Sequence, residues 1–228
     1  MNKEKTAHTK VLFTWSGGKD SALALYELQK TNRYDVRALL TTVTEDYGRV
    51  SMHGVRETLL ELQAQSLGIP LEKVYITKKG SSEEYEACMR RMFVSFKRRE
   101  VLTVAYGDIL LEDLRMHREK KLEELSMKAL FPLWAADTST LGRGFIDLGF
   151  RAVVVCVDSE KLDGSFCGRE YDEGFLRDLP RTVDPCGENG EFHTFVYDGP
   201  NFGKKVTIDT GEVVLRDSRF YFYDLIPR

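Results

Sequence analysis

The sequence has no long apolar run. A membrane-spanning helix needs about 18 consecutive apolar residues, and the first apolar stretch, residues 11–15, has only the length of a strand. Residues 1–10 are polar and contain no signal-peptide core. We therefore expect a cytoplasmic protein with no membrane partner.

Paired cysteines and excess positive charge are also missing. None of the four cysteines (Cys88, Cys156, Cys167 and Cys186) forms a C-x-x-C pair, which argues against a zinc knuckle or a redox dithiol. We expect reduced thiols. The net charge is −3, whereas proteins that grip nucleic-acid backbones are usually basic. The sequence thus argues against a nucleic-acid partner.

What remains is a globular composition, with 42% hydrophobic and 30% charged residues in 228. Short β-rich runs alternate with helical patterns over the first two-thirds. The predicted strands are 11–15, 36–43, 74–77, 101–106 and 129–131, and the predicted helices are 21–30, 56–67, 82–99 and 110–127. This alternation predicts βαβ units and a parallel Rossmann-like sheet. Ligands of such sheets bind at the carboxyl ends of the strands.

The pattern changes in the last third. A helix over 138–148 and a strand over 152–157 precede a segment rich in turns, where a Thr210-Gly211 turn predicts a hairpin between 205–209 and 212–215. We place a domain boundary near residue 135. The α/β domain then covers 1–135, and a smaller C-terminal α+β domain covers 136–228.

A glycine-rich loop joins the first strand to the first helix. Its residues are Ser16, Gly17, Gly18, Lys19, Asp20 and Ser21. Glycines let the backbone approach a ligand, and free N–H groups at a helix start bind anions. Phe13 and Asp20 exclude a Walker A loop, and two adjacent glycines do not make the Rossmann G-x-G-x-x-G. The loop predicts a phosphate site.

The same six residues resemble the PP-loop of the ATP pyrophosphatase superfamily, the adenine-nucleotide α-hydrolase fold. The resemblance implies ATP and Mg²⁺ as ligands and cleavage of ATP between its α- and β-phosphates. It places Ser16, Gly17, Gly18, Lys19 and Ser21 around phosphate, counts Asp20 among the cofactor-binding residues, and makes Lys19 and Asp20 catalytic. Asp20 would contact Mg²⁺ or else fix the loop and cap the helix. Thr42, near the end of the second strand, is a further candidate for binding the nucleotide.

Other segments resemble the diphthine–ammonia ligase family. The run 184–200 is similar to its G-E-x-G-E-F-x-T-F-V segment, and residues 62–70, 132–134 and 168–169 match shorter elements. The resemblance implies that a carboxylate acceptor, a small molecule or one borne by a protein, is adenylated and then converted to an amide by ammonia. No glutaminase-like segment is present, so free ammonia is the simpler nitrogen donor.

The chain also departs from that family. Arg115 matches its Q-R-x-R pattern, but His117 replaces the second arginine, and residues 52–56 look more like a bacterial branch linked to corrinoid salvage. These departures leave the acceptor open. A tRNA-modifying PP-loop enzyme, a corrinoid-salvage enzyme and a nucleotide sensor without catalysis are the alternatives. A homo-oligomer is compatible with the sequence.

Within the run 184–200, carboxylates stand three residues apart among glycines. Glu188 and Glu191, with Asn189 between them, can face one ligand or belong to a solvated turn. His193 can be a base near neutral pH or an ordinary strand residue. No base that would activate Cys186 is visible. We expect this segment to reach the carboxyl edge of the sheet and to form the acceptor side of one site with the phosphate loop.

Three further candidates come from the first domain. Asp108 ends a strand at the active edge and is assigned a catalytic role, and His53 follows the second strand. Arg115 can bind an acceptor carboxylate in a bidentate manner, or it can form an ion pair with Glu112 or Glu119. His53 and Arg115 are therefore assigned to the acceptor.

Overall fold

A mostly parallel sheet forms the first half of the chain in the computed structural model, which describes residues 8–51, 53–78 and 80–228. Its strands are β1 (Thr9–Thr14), β2 (Tyr34–Thr44), β3 (Arg49–Val50), β4 (Leu71–Ile76), β5 (Thr103–Ala105) and β6 (Lys128–Leu130). The order is β4-β2-β1-β5-β6, and the two-residue β3 pairs antiparallel with the end of β2. The predicted α/β class is confirmed.

Four helices connect these strands: α1 (Lys19–Lys30), α2 (Glu57–Leu67), α3 (Ser82–Arg98) and α4 (Glu112–Glu123). Successive residues of β1 point to opposite faces of the sheet. Val11 and Phe13 therefore join one buried cluster and Leu12 joins another. Both faces of the sheet are covered, as the unbroken apolar run of β1 indicates.

A second sheet, antiparallel, forms most of the rest. It contains β7 (Arg151–Asp158), β8 (Phe192–Asp198), β9 (Ile208–Arg216) and β10 (Phe220–Pro227), in the order β8-β7-β10-β9, and two helices, α5 (Thr138–Asp147) and α6 (Glu173–Asp178), accompany it. Phe13 of β1 and Phe195 of β8 belong to the same hydrophobic cluster. The two sheets therefore share a core.

The predicted hairpin around Thr210-Gly211 is wrong. Both residues lie inside β9, and β9 turns into β10 through residues 217–219. The β9–β10 register shifts at Asp224, whose Cβ lies 3.1 Å from the point where a side chain at Gly211 would begin. An isolated glycine in a strand often marks such an irregularity. Gly211 therefore marks an irregularity inside a strand. The sequence alone does not distinguish a glycine of this kind from a glycine in a turn.

The sheet order creates a switch point beside β1. The chain leaves β1 for β2 on one side, and it later returns to add β5 on the other side. The crevice at the carboxyl ends of β1 and β5 is where ligands of such sheets bind. In the part of the chain that the structure describes, no helix is long and apolar enough to cross a membrane.

Candidate functional site

The loop between β1 and α1 lies at this switch point, and each of its glycines meets a close neighbour. Gly17 has φ +79°, and a Cβ there would lie 2.8 Å from Oε1 of Gln63. A Cβ at Gly18 would lie 3.1 Å from both Cε1 of His53 and the carbonyl oxygen of Thr194. Gly17 is therefore required for its backbone angle, and neither Gly17 nor Gly18 has room for a side chain.

The backbone N–H groups of the loop divide into two sets. The N–H of Gly18 donates to Oγ of Ser16 at 3.2 Å, and that of Lys19 donates to Oγ1 of Thr194 at 3.0 Å. Those of Asp20 and Ser21 have no acceptor among the described residues. Free donors in the first turn of a helix, here one of 12 residues, are the groups that bind anions in other proteins.

The amine of Lys19 is buried instead of facing solvent. It donates to the carbonyl oxygen of Cys186 and, at 2.8 Å, to the carboxylate of Asp20. It also lies over the rings of Tyr171 (5.7 Å) and Phe192 (5.3 Å). Burial alone would lower the pKa of Lys19. The electrostatic effects of the Asp20 carboxylate and the Cys186 side chain are together larger than that of burial, so the pKa is raised. Lys19 thus ties the loop to the C-terminal half.

Backbone and side-chain hydrogen bonds make a second tie between the halves. The N–H of Val196 in β8 donates to the carbonyl of Gly17 at 2.9 Å. Gln63, fully buried in α2, donates to the carbonyls of Gly17 (3.0 Å) and Val196 (2.5 Å) and accepts from the indole N–H of Trp15 at 2.9 Å. The loop conformation therefore depends on α2 and on β8 together.

Two carboxylates outside the loop, those of Asp108 and Glu188, interact electrostatically with Asp20 of the loop. Burial raises the pKa of Asp108, with Asp20 adding to the shift and Arg118, at 2.9 Å, opposing it. Burial also raises the pKa of Glu188, again with a contribution from Asp20. Glu188 accepts from the N–H of Leu110 at 3.2 Å, which attaches residue 188 to the segment after β5. Perturbed carboxylates in a crevice are typical of functional sites.

The acidic side chains near the loop are also the candidate ligands of the expected Mg²⁺. Over residues 8–51, 53–78 and 80–228, no three His, Cys, Asp or Glu side chains converge in a way that could hold a metal. Mg²⁺ in nucleotide sites takes one or two carboxylates and completes its shell with phosphate and water. Asp20 and Asp108 are such carboxylates; Oδ2 of Asp108 is held by Arg118 at 2.9 Å, and the charge of Asp20 acts on Asp108. The residues present fit Mg²⁺.

Glu191 faces its own segment. It is 3% exposed and accepts hydrogen bonds from the N–H of Asp184 (3.1 Å) and from the backbone (3.0 Å) and side chain (2.9 Å) of Asn189. Asp184 in turn accepts from the N–H groups of Cys186 and Glu188. Of the two glutamates, Glu191 shapes the turn and Glu188 reaches the neighbouring loop.

His53 and His193 form a pair beside Gly18. Their ring centroids are 4.5 Å apart, with 32° between the ring planes. Burial lowers the pKa of His193 to about 4, and Lys19 contributes. Burial, then His193, moves the pKa of His53 well below its ordinary value. Both imidazoles are therefore neutral at pH 7.

Two further predicted residues lie on β2 and on α4. Thr42 is partly buried on β2, two residues beyond the last pairing with β1, and its carbonyl accepts from Ser51. Arg115 on α4 pairs with Glu119 at 2.8 Å, and its guanidinium lies 4.6 Å from the ring centroid of Trp134. The described part of the chain thus shows Arg115 already engaged with a carboxylate and an aromatic face.

Sequence reasoning missed Gln63, Thr194 and Tyr171 as parts of this site. Gln63 and Thr194 both lie in segments that resemble the family, at 62–70 and 184–200, so that similarity was the available signal. Tyr171 carries no such signal, because its contact with Lys19 joins residues 152 positions apart.

Several known proteins are similar to this chain in sequence. The human protein named diphthine–ammonia ligase is 27% identical over 231 residues, covering 89% of this chain and 84% of that protein. The Danio rerio protein of that name is 26% identical, covering 88% and 86%. The Schizosaccharomyces pombe protein is 28% identical and covers 92% of this chain, which spans 38% of that longer relative.

Among solved structures, the U34-tRNA thiolase NcsA from Methanococcus maripaludis with its 4Fe–4S cluster aligns at a TM-score of 0.38 and 16% identity, over 65% of this chain and 61% of that chain. Two family models cover nearly the whole sequence. The diphthamide synthase N-terminal domain matches residues 9–129, and the diphthamide synthase C-terminal domain matches residues 137–224. The chain belongs to the diphthamide synthase family.

Proposed function

We propose that the chain is an ATP-dependent ligase that adenylates a carboxylate acceptor, releases AMP and pyrophosphate, and forms an amide with ammonia. The relatives named diphthine–ammonia ligase support the ligase and the ammonia. The observation that carries the proposal is the pair of free N–H groups at Asp20 and Ser21, at the start of α1 and beside the switch point.

In this proposal the departing pyrophosphate lies on the loop. The N–H groups of Asp20 and Ser21 donate to its oxygens, and the hydroxyls of Ser16 and Ser21, 3.1 Å apart, add donors. Donors fixed before the reaction stabilise charge as it develops, because they need no reorganisation. Lys19 holds the loop to the C-terminal segment and adds its positive charge at close range.

Asp20 and Asp108 would hold Mg²⁺, which supplies positive charge to the phosphates when bound. Asp20 accepts from Lys19 and is 29% exposed. Asp108 is held by Arg118. These contacts restrict the side chains of both carboxylates. Thr42, near the end of β2, would contact the nucleoside portion.

The acceptor would bind on the other side of the crevice. Glu188 and Arg115 both lie next to the segment after β5, since Glu188 bonds to Leu110 and Arg115 begins the second turn of α4. Arg115 can exchange its contact with Glu119 for a substrate carboxylate. Residues 1–135 would then supply ATP binding and residues 136–228 most of the acceptor side.

The experiment supplies ATP, MgCl₂, ammonium chloride and diphthine as acceptor, and separates the nucleotide products by chromatography. AMP and pyrophosphate are expected in equal amounts, dependent on acceptor. ADP and orthophosphate from the pure protein would overturn the adenylation mechanism. AMP formed only with tRNA would favour the tRNA-modifying alternative.

A pair of glycine variants locates the activity at the loop. Gly17→Ala brings a Cβ within 2.8 Å of Gln63 at φ +79°, and we expect loss of ATP turnover. Gly149→Ala is the matched control, since Gly149 has φ +86° and nothing within 4 Å of its Cβ position. Equal activity in the two variants would contradict a role for the loop.

A further inference from the structure

The strand β9 forms an open edge of the antiparallel sheet. In the order β8-β7-β10-β9 it is hydrogen-bonded to β10 and, among the described residues, to no further strand. Alternate N–H and C=O groups of an edge strand face away from the sheet, where they can pair with another chain. Beyond the irregularity at Gly211, the segment 212–216 reads Glu-Val-Val-Leu-Arg and contains neither proline nor lysine, which are residues that protect natural edges.

The edge strands elsewhere in the two sheets are protected. β4 and β6, at the two sides of the parallel sheet, carry Lys73 and Lys128. β8, at the other side of the antiparallel sheet, is covered by the phosphate loop, because Val196 donates to the carbonyl of Gly17. The segment 212–216 of β9 has neither kind of protection, so it is the edge that is best able to accept a further strand.

The apolar side chains of β9 extend past the layer that covers its neighbour. Val213 and Leu215 lie opposite Tyr223 and Tyr221 of β10, so all four share one face of the sheet. The two tyrosines pack against the segment 164–168 and the hydrophobic cluster. Val213 and Leu215 are 45% and 47% exposed. The cover over this face therefore stops at β10 and leaves an apolar margin along β9.

The segment 212–216 is complementary to a second copy of itself. Antiparallel pairing about Val214 places Glu212 opposite Arg216 of the second copy and Val213 opposite Leu215 of the second copy. Glu212 and Arg216 are both exposed. The ion pairs formed by residues 208–228 use other side chains, namely Asp209, Arg219, Asp224 and Arg228. Both charges are therefore available to a partner.

Other pairings of the same segment fit less well. A slip by one residue places Glu212 opposite Leu215 of the second copy, and it turns the apolar margin of that copy to the opposite face of the sheet. A parallel pairing in register places Glu212 beside Glu212 of the second copy, and like charges in neighbouring strands are destabilising. The antiparallel pairing about Val214 joins opposite charges, joins apolar side chains and keeps both margins on one face.

We propose that β9 is a homodimer interface, in which the segments 212–216 of two copies pair antiparallel about a two-fold axis at Val214. The two antiparallel sheets then form one continuous sheet across the dimer. The partner is a second copy because a two-fold contact requires a self-complementary surface, and this segment is self-complementary in both charge and apolar residues. The contact is short, so we expect the dimer to form and dissociate with protein concentration. This inference does not depend on the proposed function.

Sedimentation velocity of the full chain, from about 5 to about 200 µM, measures the association. The parent should pass from monomer to dimer, and Leu215→Lys should stay monomeric, because it places a charge in the apolar margin. Leu102→Lys, at an equally exposed leucine just before β5, should dimerise as the parent does. Circular dichroism checks that both variants are folded. A parent that is monomeric at every concentration, or a Leu215→Lys variant that dimerises like the parent, would overturn the proposal.

An exchange of charges tests which residues meet. Glu212→Arg and Arg216→Glu each place like charges opposite one another across the two-fold axis, so each should raise the dissociation constant of the dimer at least fivefold. The double variant restores opposite charges and should return the dissociation constant to within twofold of the parent value. Single variants that dimerise like the parent, or a double variant no better than either single one, contradict the pairing.

Disulfide cross-linking locates the axis. Cys88→Ser gives a background in which the remaining cysteines are buried. In that background Val214→Cys should form a disulfide-linked dimer under mild oxidation, because residues directly opposite in an antiparallel pair have Cα atoms about 4.5–5.5 Å apart. Leu215→Cys is the control, since its two copies lie diagonally, about 7–8 Å apart, beyond the usual span of a disulfide. Faster cross-linking of Leu215→Cys than of Val214→Cys would refute an axis at Val214.

Discussion

The backbone N–H of Lys19 donates to the hydroxyl of Thr194 at 3.0 Å, across 175 positions of sequence. The contact joins the first residue of α1 to the middle of β8. It uses one of the loop's donors and leaves those of Asp20 and Ser21 free. The C-terminal half therefore selects which N–H groups of the loop remain available to a ligand.

Thr194→Val removes this hydroxyl with little change in shape. The Lys19 N–H then stays buried without an acceptor, which costs about 1–3 kcal/mol. We expect a lower free energy of unfolding in urea and at least a fivefold weaker affinity for ATP by calorimetry. Thr194→Ser keeps the hydroxyl and should retain most of both. A Val variant that matches the Ser variant in ATP affinity would show that this bond does not shape the loop.

Gln63 gives a second test of the connection between the halves. Gln63→Leu leaves two buried groups without a partner, the indole N–H of Trp15 and the carbonyl of Val196, and it removes one of the two hydrogen bonds to the carbonyl of Gly17. We expect a stability loss of about 2–4 kcal/mol, the sum of several unsatisfied groups. Gln65→Leu, on the exposed face of the same helix, should change the unfolding free energy by about 0.5 kcal/mol or less. Similar losses in both variants would count against the Gln63 contacts.

The parallel sheet and the phosphate loop were predictable because both depend on local pattern. Val11, Leu12 and Phe13 form an unbroken apolar run, and two glycines follow at the point where the chain must turn. The direction of a side chain depends on distant residues instead. Lys19 follows the loop in sequence, yet its amine faces Tyr171, Phe192 and Cys186, none of which shows in the local sequence. Glu188 and Glu191 look equivalent in the sequence. Only the fold shows that Glu191 is buried and that Glu188 is partly exposed.

Lys19 holds the loop and is proposed to bind ATP, and a pair of variants tests these two roles separately. Lys19→Met removes the donor to Cys186 and Asp20, so we expect a stability loss of about 1–3 kcal/mol and at least a tenfold loss of ATP turnover, or about 1.4 kcal/mol. Because its folded pKa is raised above 10.5, the stability that Lys19 contributes is full below that pH and is lost as pH rises through the folded pKa.

The matched control for this variant is Lys30→Met. Lys30 is at the other end of α1, half-exposed and paired with Glu27. It should leave both ATP turnover and the free energy of unfolding near the parent values. Turnover in Lys19→Met equal to that in Lys30→Met would remove Lys19 from the proposed chemistry.

Glu188 and Glu191 should separate activity from stability. The raised pKa of Glu188 means that the folded state binds its proton more tightly than the unfolded state, so the contribution of Glu188 to stability falls as pH rises from 4.5 through the folded pKa. Above the folded pKa the cost of ionisation is fully present. Glu188→Gln removes that cost and can still accept from Leu110. It should therefore be at least as stable as the parent, while acceptor-dependent AMP formation falls at least tenfold.

Glu191→Gln should do the reverse. In the parent, the two carboxylate oxygens of Glu191 accept from the N–H groups of Asp184 and Asn189. In Glu191→Gln one of these oxygens becomes an NH₂ group, which cannot accept from the N–H that it faces. A lost acceptor in a residue only 3% exposed costs about 1–3 kcal/mol, so the variant should unfold at lower urea concentration. Turnover per folded molecule, measured well below its unfolding midpoint, should stay within a few-fold of the parent. If Glu188→Gln unfolds early and keeps its turnover, while Glu191→Gln stays stable and inactive, the two roles are reversed, and Glu191 is the residue that faces the acceptor.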